Sequence, residues 1–381
     1  MPLTYFDNAA TSFPKPEAVY QALDRFARHD LANPGRAGHK MALAAERALD
    51  DCRHLLNQLF HGEAPERFVF TLNCTDALNM AFKGALAEGD HVLTTDLEHN
   101  SVSRPLRKME LDGRITLTRI KADAGGTIDP DDVRKALTPR TRLIAMTHAS
   151  NVLGTVQPVA EVGRIAREHD LLFLVDAAQT AGAVPIDVQA MNIDLLAFPG
   201  HKSLLGPTGT GALYVGPRAA VRAWREGGTG GDSASETQPR EFPYFLEGGT
   251  PNVLGVAGLA AGARWVQEQG IDKIREHEVA LTERLWRKLE EIAGITVFGH
   301  RDGARRVGTL SFRSDALPAA ELGGILDQAF DIAVRPGLHC APYIHRSLGT
   351  FPEGTVRVSP GPFSTEADVD RLATALVEIT G

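Results

Sequence analysis

Between about residues 67 and 216 the chain alternates short apolar runs with longer amphipathic ones, and this alternation restricts the fold more than any other feature. The apolar runs are RFVFTL, DHVLTT, ITLTRI, RLIAMTH, LLFLVDA, DLLAF and GALYVG, lengths and compositions that suit strands. Helical patterns such as TDALNMAFKGALAEG and VAEVGRIAREHD fall between most of them. Strand alternating with helix implies an α/β domain on a largely parallel sheet, because parallel neighbours need a crossover connection. In such sheets ligands bind beyond the carboxyl ends of the strands. The chemistry is therefore to be sought where these runs end.

The rest of the chain reads differently. Residues 227–247, rich in Gly, Ser, Thr and Pro, predict a long loop, a type that is often functional. Two strong helical patterns follow, at about 253–269 and 271–292. The segments ITVFG, TLSFR, PAAELGGILDQAF, VRVS and TEADVDRLATALVEI then predict a smaller α+β unit. No internal repeat or low-complexity tail interrupts the pattern.

Hydrophobic residues make up 43% of the 381, ample for a large core. A formal net charge of -8 argues against nucleic acid or an anionic membrane as the main partner. It leaves room for a small anionic substrate in a local cationic pocket. The start MPLTYFDNAATSFPKP has neither a basic opening nor an apolar run, and no stretch approaches the roughly 18 apolar residues of a membrane span, so a cytoplasmic protein is expected. The three cysteines, Cys52, Cys74 and Cys340, lie far apart and are odd in number. That argues against a disulfide framework or a metal site, and for a reducing compartment where a free thiol can react.

Four segments carry candidate chemistry. In FPGHKSLLGPTGTGALYV a strand ends directly before Gly200-His201-Lys202, and Lys202 is the only lysine between Lys135 and Lys273. A lysine that forms a Schiff base needs a pocket that lowers its pKa, and neighbouring glycines would let a cofactor approach the backbone. An exposed loop lysine beside a tight turn fits this segment equally well. In LLFLVDAAQTAG, Asp176 ends an apolar strand, where a carboxylate is costly unless paired. A protonated pyridine nitrogen would pair it, as would a helix cap or a metal. In FTLNCTDALN, Thr75 opens a helix, and the N–H groups of Cys74, Thr75 and Asp76 could bind an anion; simple capping by Thr75 is the alternative. In VRPGLHCAP, Cys340 stands among Gly, His and Pro near Arg335 and His339, a cationic setting that favours the thiolate unless the residue is an incidental loop cysteine. Cys52, within the helical ERALDDCRHLLNQLF, reads as structural, and Cys74 as packing beside the anion site.

In this order the segments resemble the class V aminotransferase family of pyridoxal-phosphate enzymes, and within it the cysteine desulfurases. The resemblance runs from YFDNAATSFPKP to VRVSPGPFSTEADVDRL, nearly the whole chain. It implies an aspartate aminotransferase-like fold (fold type I), with a large domain over residues 15–270 and a small domain from 1–14 and 271–381. It implies pyridoxal 5'-phosphate on Lys202, with His201, Thr75 and Asp76 at the phosphate, Asp176 at the pyridine nitrogen, Gln179 at the ring hydroxyl and His99 of LEHNS stacked on the ring. Asn151 of HASNVLGT would line the pocket. Thr250 of EGGTPN would reach the partner subunit's phosphate, which implies a homodimer. Arg357 would clamp the substrate carboxylate, and Arg335, Arg36, His39, Asn8 and Ala9 would complete the substrate site. His61, His277 and His300 match no motif and read as surface residues.

The sequence departs from that pattern at Pro199, where many relatives carry Ser or Thr, at Asn100, where a second histidine is frequent, and in the short segment after Cys340, which suits the group that includes selenocysteine lyases. The implied reaction takes sulfur from L-cysteine (or selenium from selenocysteine) to leave alanine. Lys202 acts as base, His99 handles the thiol proton, and a persulfide forms on Cys340 for an acceptor protein in iron–sulfur or thiolation pathways. The competing readings are a selenocysteine or cystine lyase, a class V aminotransferase or epimerase with an idle Cys340, and a cofactor-free scaffold.

Overall fold

The alternating region forms a seven-stranded sheet. The computed structural model describes residues 3–35, 38–230 and 234–380. Across the sheet the strands run Phe68–Thr71, Gly211–Val215, Leu195–Pro199, Leu172–Asp176, Thr141–Thr147, Asp90–Thr95 and Ile115–Ile120. All are parallel except Gly211–Val215, which is antiparallel to both neighbours. All seven expected strands are present, within a residue or two at their ends.

Alternation along each strand explains the packing. Successive side chains point to opposite faces. Phe173, Val175, Leu196, Phe198 and Tyr214 enter one buried cluster, while Leu172, Leu174, Leu195, Ala197, Leu213 and Val215 enter another. Both faces are covered, so the strands read as continuous apolar runs. Helix Cys74–Ala85 covers one face with Ala77, Leu78, Ala81 and Phe82, a helical repeat. Helix Asn100–Leu111 adds Val102, Leu106 and Met109 to the same cluster.

The C-terminal part forms a four-stranded antiparallel sheet in the order Arg335–Gly337, Thr355–Val358, Leu310–Ser314, Ile295–Phe298. Its core joins Phe6 from the N-terminal segment to Leu281, Leu285, Phe312, Leu322 and Leu372. Thr4–Tyr5 pairs in parallel with Ile332–Ala333, which draws the start of the chain onto this unit. The strand Arg335–Gly337 escapes the sequence pattern because it is three residues long and contains a proline. Among the described residues between 216 and 252 there is neither helix nor strand, as the loop expectation requires. No helix is long and apolar enough to cross a membrane, among the described residues.

Phe198 is fully buried and its ring centroid lies 4.8 Å from that of Phe60. Phe198→Ala is expected to lower stability by about 3–5 kcal/mol, read as a fall in the urea midpoint at constant slope.

Candidate active site

The parallel strands place Thr95, Thr147, Asp176 and Pro199 at one edge, with Thr147 opposite Asp176 and Asp176 opposite Ala197. Beyond this carboxyl edge lies a pocket lined by Thr75, His99, Asn151, Asp176, Gln179, His201, Lys202 and Arg335, eight of the residues singled out above. They come from loops far apart in sequence, which the sheet order gathers.

Lys202 is partly buried and makes no ion pair among the described residues. Removal from water is the main cause that lowers its pKa to about 8, and Arg357 adds to the shift while Asp176 opposes it. Asp176 Oδ1 accepts from the Ala178 N–H at 2.9 Å and from Cys74 Sγ at 3.4 Å. Burial raises the Asp176 pKa against those donors. His99 and His201 are both held to about 4, chiefly by burial and then by Lys202. Around neutrality both imidazoles are therefore uncharged. His99 caps its helix: Nδ1 accepts from the Ser101 N–H at 3.0 Å. The neutral ring must then carry its proton on Nε2. In this state His99 has a proton to give at Nε2 and its Nδ1 is taken by Ser101.

Several expected residues sit elsewhere. Asn73, not Thr75, caps helix Cys74–Ala85, and its Oδ1 takes the Asp76 N–H at 2.9 Å. The Asp76 carboxylate turns back to accept from the Leu72 N–H at 3.2 Å and is absent from the pocket lining, since a carboxylate in the first turn binds free amides. Arg357 is fully buried, donates to Asp7 Oδ1 at 2.6 Å and to the Asn151 carbonyl at 3.0 Å, and does not line the pocket. Its neighbour across the strand pair, Arg335, does. Asn8 is occupied by the carbonyls of Tyr5 and Ser359, Ala9 lends its carbonyl to Gln179 at 3.1 Å, and Ala10 is the N-terminal residue that lines the pocket. His39 is exposed and caps helix Lys40–Phe60. Thr250 is exposed in a separate cleft with Arg53 and Glu247. Arg36 lies outside the described residues. At Gly200 a Cβ would meet Thr210 Oγ1 at 2.3 Å, so close packing alone requires a glycine there.

Cys340 stands just outside the lining, with Sγ 3.7 Å from Arg335 Nη2. Its segment is tied down: Cys340 O accepts from the Asn100 N–H at 2.6 Å, and His339 O from Asn151 Nδ2 at 2.6 Å. Both His339 and Cys340 hold positive φ, at 49° and 59°. The other two thiols are buried. Burial pushes Cys52 up to about 12, and burial then Asp176 raise Cys74 well above its ordinary value.

Sequence reasoning missed two residues that LEHNS contains. Ser101 lines the pocket, with Oγ 2.7 Å from Thr75 Oγ1. Glu98 is fully buried, its Oε1 taken by Thr95 and Thr147 and its Oε2 without a partner among the described residues, and burial raises it to about 8. Their proximity to the quoted histidine was the available signal. Lys15 was missed as well; it donates to the His201 carbonyl at 3.1 Å.

The family profile described as aminotransferase class-V matches residues 4–372. A protein of Methanothermobacter thermautotrophicus named "Probable cysteine desulfurase" is 37% identical, covering 99% of this chain and 94% of its own. One of the same name from Halalkalibacterium halodurans is 35% identical, covering 98% and 92%. The structure titled as the apo form of cysteine desulfurase from Thermococcus onnurineus superposes with a TM-score of 0.94 at 32% identity, covering 99% of this chain and 94% of that one. The fold is thus that of the fold type I enzymes, as the resemblance implied.

Of the three thiols only Cys340 is both half-exposed and beside a guanidinium. A disulfide reagent at about pH 8 is expected to label one thiol rapidly in the native protein and all three after denaturation, with the fast one lost in Cys340→Ser.

Proposed function

The chain belongs to the class-V aminotransferase family, and on that premise we propose that it is a pyridoxal-phosphate-dependent cysteine desulfurase that moves sulfur from L-cysteine to Cys340 and releases alanine. One observation carries the reading: a lysine without an ion partner, with its pKa brought to about 8, shares a pocket with Arg335, whose guanidinium touches the Cys340 sulfur. The residues fit the cofactor. Lys202 offers an amine, and Asp176 keeps a buried carboxylate with no hydrogen bond to Oδ2 among the described residues. His201 Nδ1 is buried without a partner among the described residues. The cofactor, when bound, supplies an electron sink that acidifies the substrate α-carbon.

The chain's own groups do the rest. Arg335 faces the pocket and draws the substrate carboxylate, and Arg357 joins it on releasing Asp7. Gln179 and the Nε2 donor of His99 fix orientation. The Lys202 amine takes the substrate α-proton at Nζ. Arg335 favours the Cys340 thiolate, which attacks the substrate sulfur. The S–S bond forms as the substrate Cβ–S bond breaks; the carbon keeps the electron pair and takes a proton, and no outside oxidant is consumed. Thr250, outside its own pocket, is left to serve the partner's site in a homodimer. A sulfur-acceptor protein then discharges Cys340, in iron–sulfur assembly or thiolation.

Two outcomes are expected. Protein loaded with pyridoxal 5'-phosphate converts L-cysteine to alanine and gains the mass of sulfur on Cys340; Cys340→Ala keeps the cofactor but loses at least ~100-fold in alanine formation, whereas full activity in that variant removes Cys340 from the mechanism, and no alanine from the unsubstituted protein moves it to another class V reaction. In addition, because only the neutral amine captures an aldehyde, capture of added cofactor by the apo protein accelerates as pH rises and levels off above about 8, where a lysine at 10.5 would still be accelerating. Stopped-flow absorbance against pH checks this.

A further inference from the structure

The Ser101 hydroxyl is used by nothing above. Ser101 Oγ lies 2.7 Å from Thr75 Oγ1 and 2.9 Å from His99 Nδ1, and all three residues line the Lys202 pocket. Thr75 and Ser101 occupy the second positions of helices Cys74–Ala85 and Asn100–Leu111. The N-termini of two 12-residue helices therefore meet at this hydroxyl pair. Each helix end carries about half a positive charge. The N–H groups of Cys74 and Thr75 have no protein acceptor among the described residues, and neither has the buried His201 Nδ1. This end of the pocket is built for an anion. One wall offers nothing: Pro199 lines it with neither an N–H nor a hydroxyl.

We propose that Ser101 donates its hydroxyl to the phosphate of pyridoxal 5'-phosphate, alongside Thr75, and supplies the donor that Pro199 lacks. The proposal rests on the cofactor reading above. Thr75 donates to Ser101 Oγ, and Ser101 donates to the unprotonated His99 Nδ1; that second proton can turn to an anion. His99 Nδ1 already accepts the Ser101 N–H, so losing the hydroxyl does not leave that nitrogen bare. A bond to a dianion is stronger than the neutral one it replaces.

The test measures equilibrium binding of pyridoxal 5'-phosphate, and separately of pyridoxal, to the apo protein by absorbance titration. Ser101→Ala is expected to weaken the phosphorylated ligand ~10- to 100-fold, the range of one hydrogen bond to a charged group, and to leave pyridoxal unchanged. Ser101→Thr, which keeps a hydroxyl, retains affinity. Adding Pro199→Ser to Ser101→Ala restores at least part of the loss. Equal weakening of both ligands in Ser101→Ala, or no weakening of either, overturns the role. If the unsubstituted protein binds neither ligand, the cofactor reading itself fails, which is a distinct result.

Discussion

Arg357 is where the parts of this molecule are tied together. Its guanidinium is fully buried on a strand of the small sheet, holds Asp7 from the N-terminal segment at 2.6 Å, and holds the Asn151 carbonyl from a loop of the large sheet at 3.0 Å. A buried charge is tolerated only with such partners, and removing one costs several kcal/mol. Three stretches remote in sequence are thereby fixed around one pocket. Asn151 continues the chain of contacts by holding His339 O, which sets the segment that bears Cys340. The position of the thiol thus follows from the same contacts that join the two sheets.

Electrostatics within the pocket contrast with the chain as a whole. The protein is net acidic at -8, yet Lys202 and Arg335 line the pocket, Arg357 stands behind them, and Asp176 is the only carboxylate in the lining. Both lining histidines are kept neutral chiefly by burial and then by Lys202. Charge of one sign in a desolvated cleft raises the local concentration of an opposite ion. An amino acid carboxylate or a phosphate meets an attractive field here despite the acidic surface.

The fold was legible wherever burial on both faces left its mark. LLFLVDA and GALYVG became strands because every residue of Leu172–Asp176 and Gly211–Val215 is buried. Arg335–Gly337 was not, since three half-buried residues leave no period. Residues singled out where chemistry and strand end coincide, such as Asp176 and Lys202, come together in one pocket. Other polar side chains have local partners that no motif reveals: Asp76 the Leu72 amide, His39 and Asn73 the helix ends they cap, Arg357 the Asp7 carboxylate. Ser101 went unseen for the opposite reason. Its value lies in a neighbour 26 positions away that only the folded chain brings within 2.7 Å.

The tethering of residues 339 and 340 has a consequence for delivery. With both carbonyls held and both residues at positive φ, the Cys340 side chain has a rigid base and moves mainly by turning about its own bonds. Each added sulfur lengthens it by only about 2 Å. On the reading proposed above, a recipient of the sulfur would have to reach Cys340 in place, so the shape of the pocket entrance would govern which recipients are served.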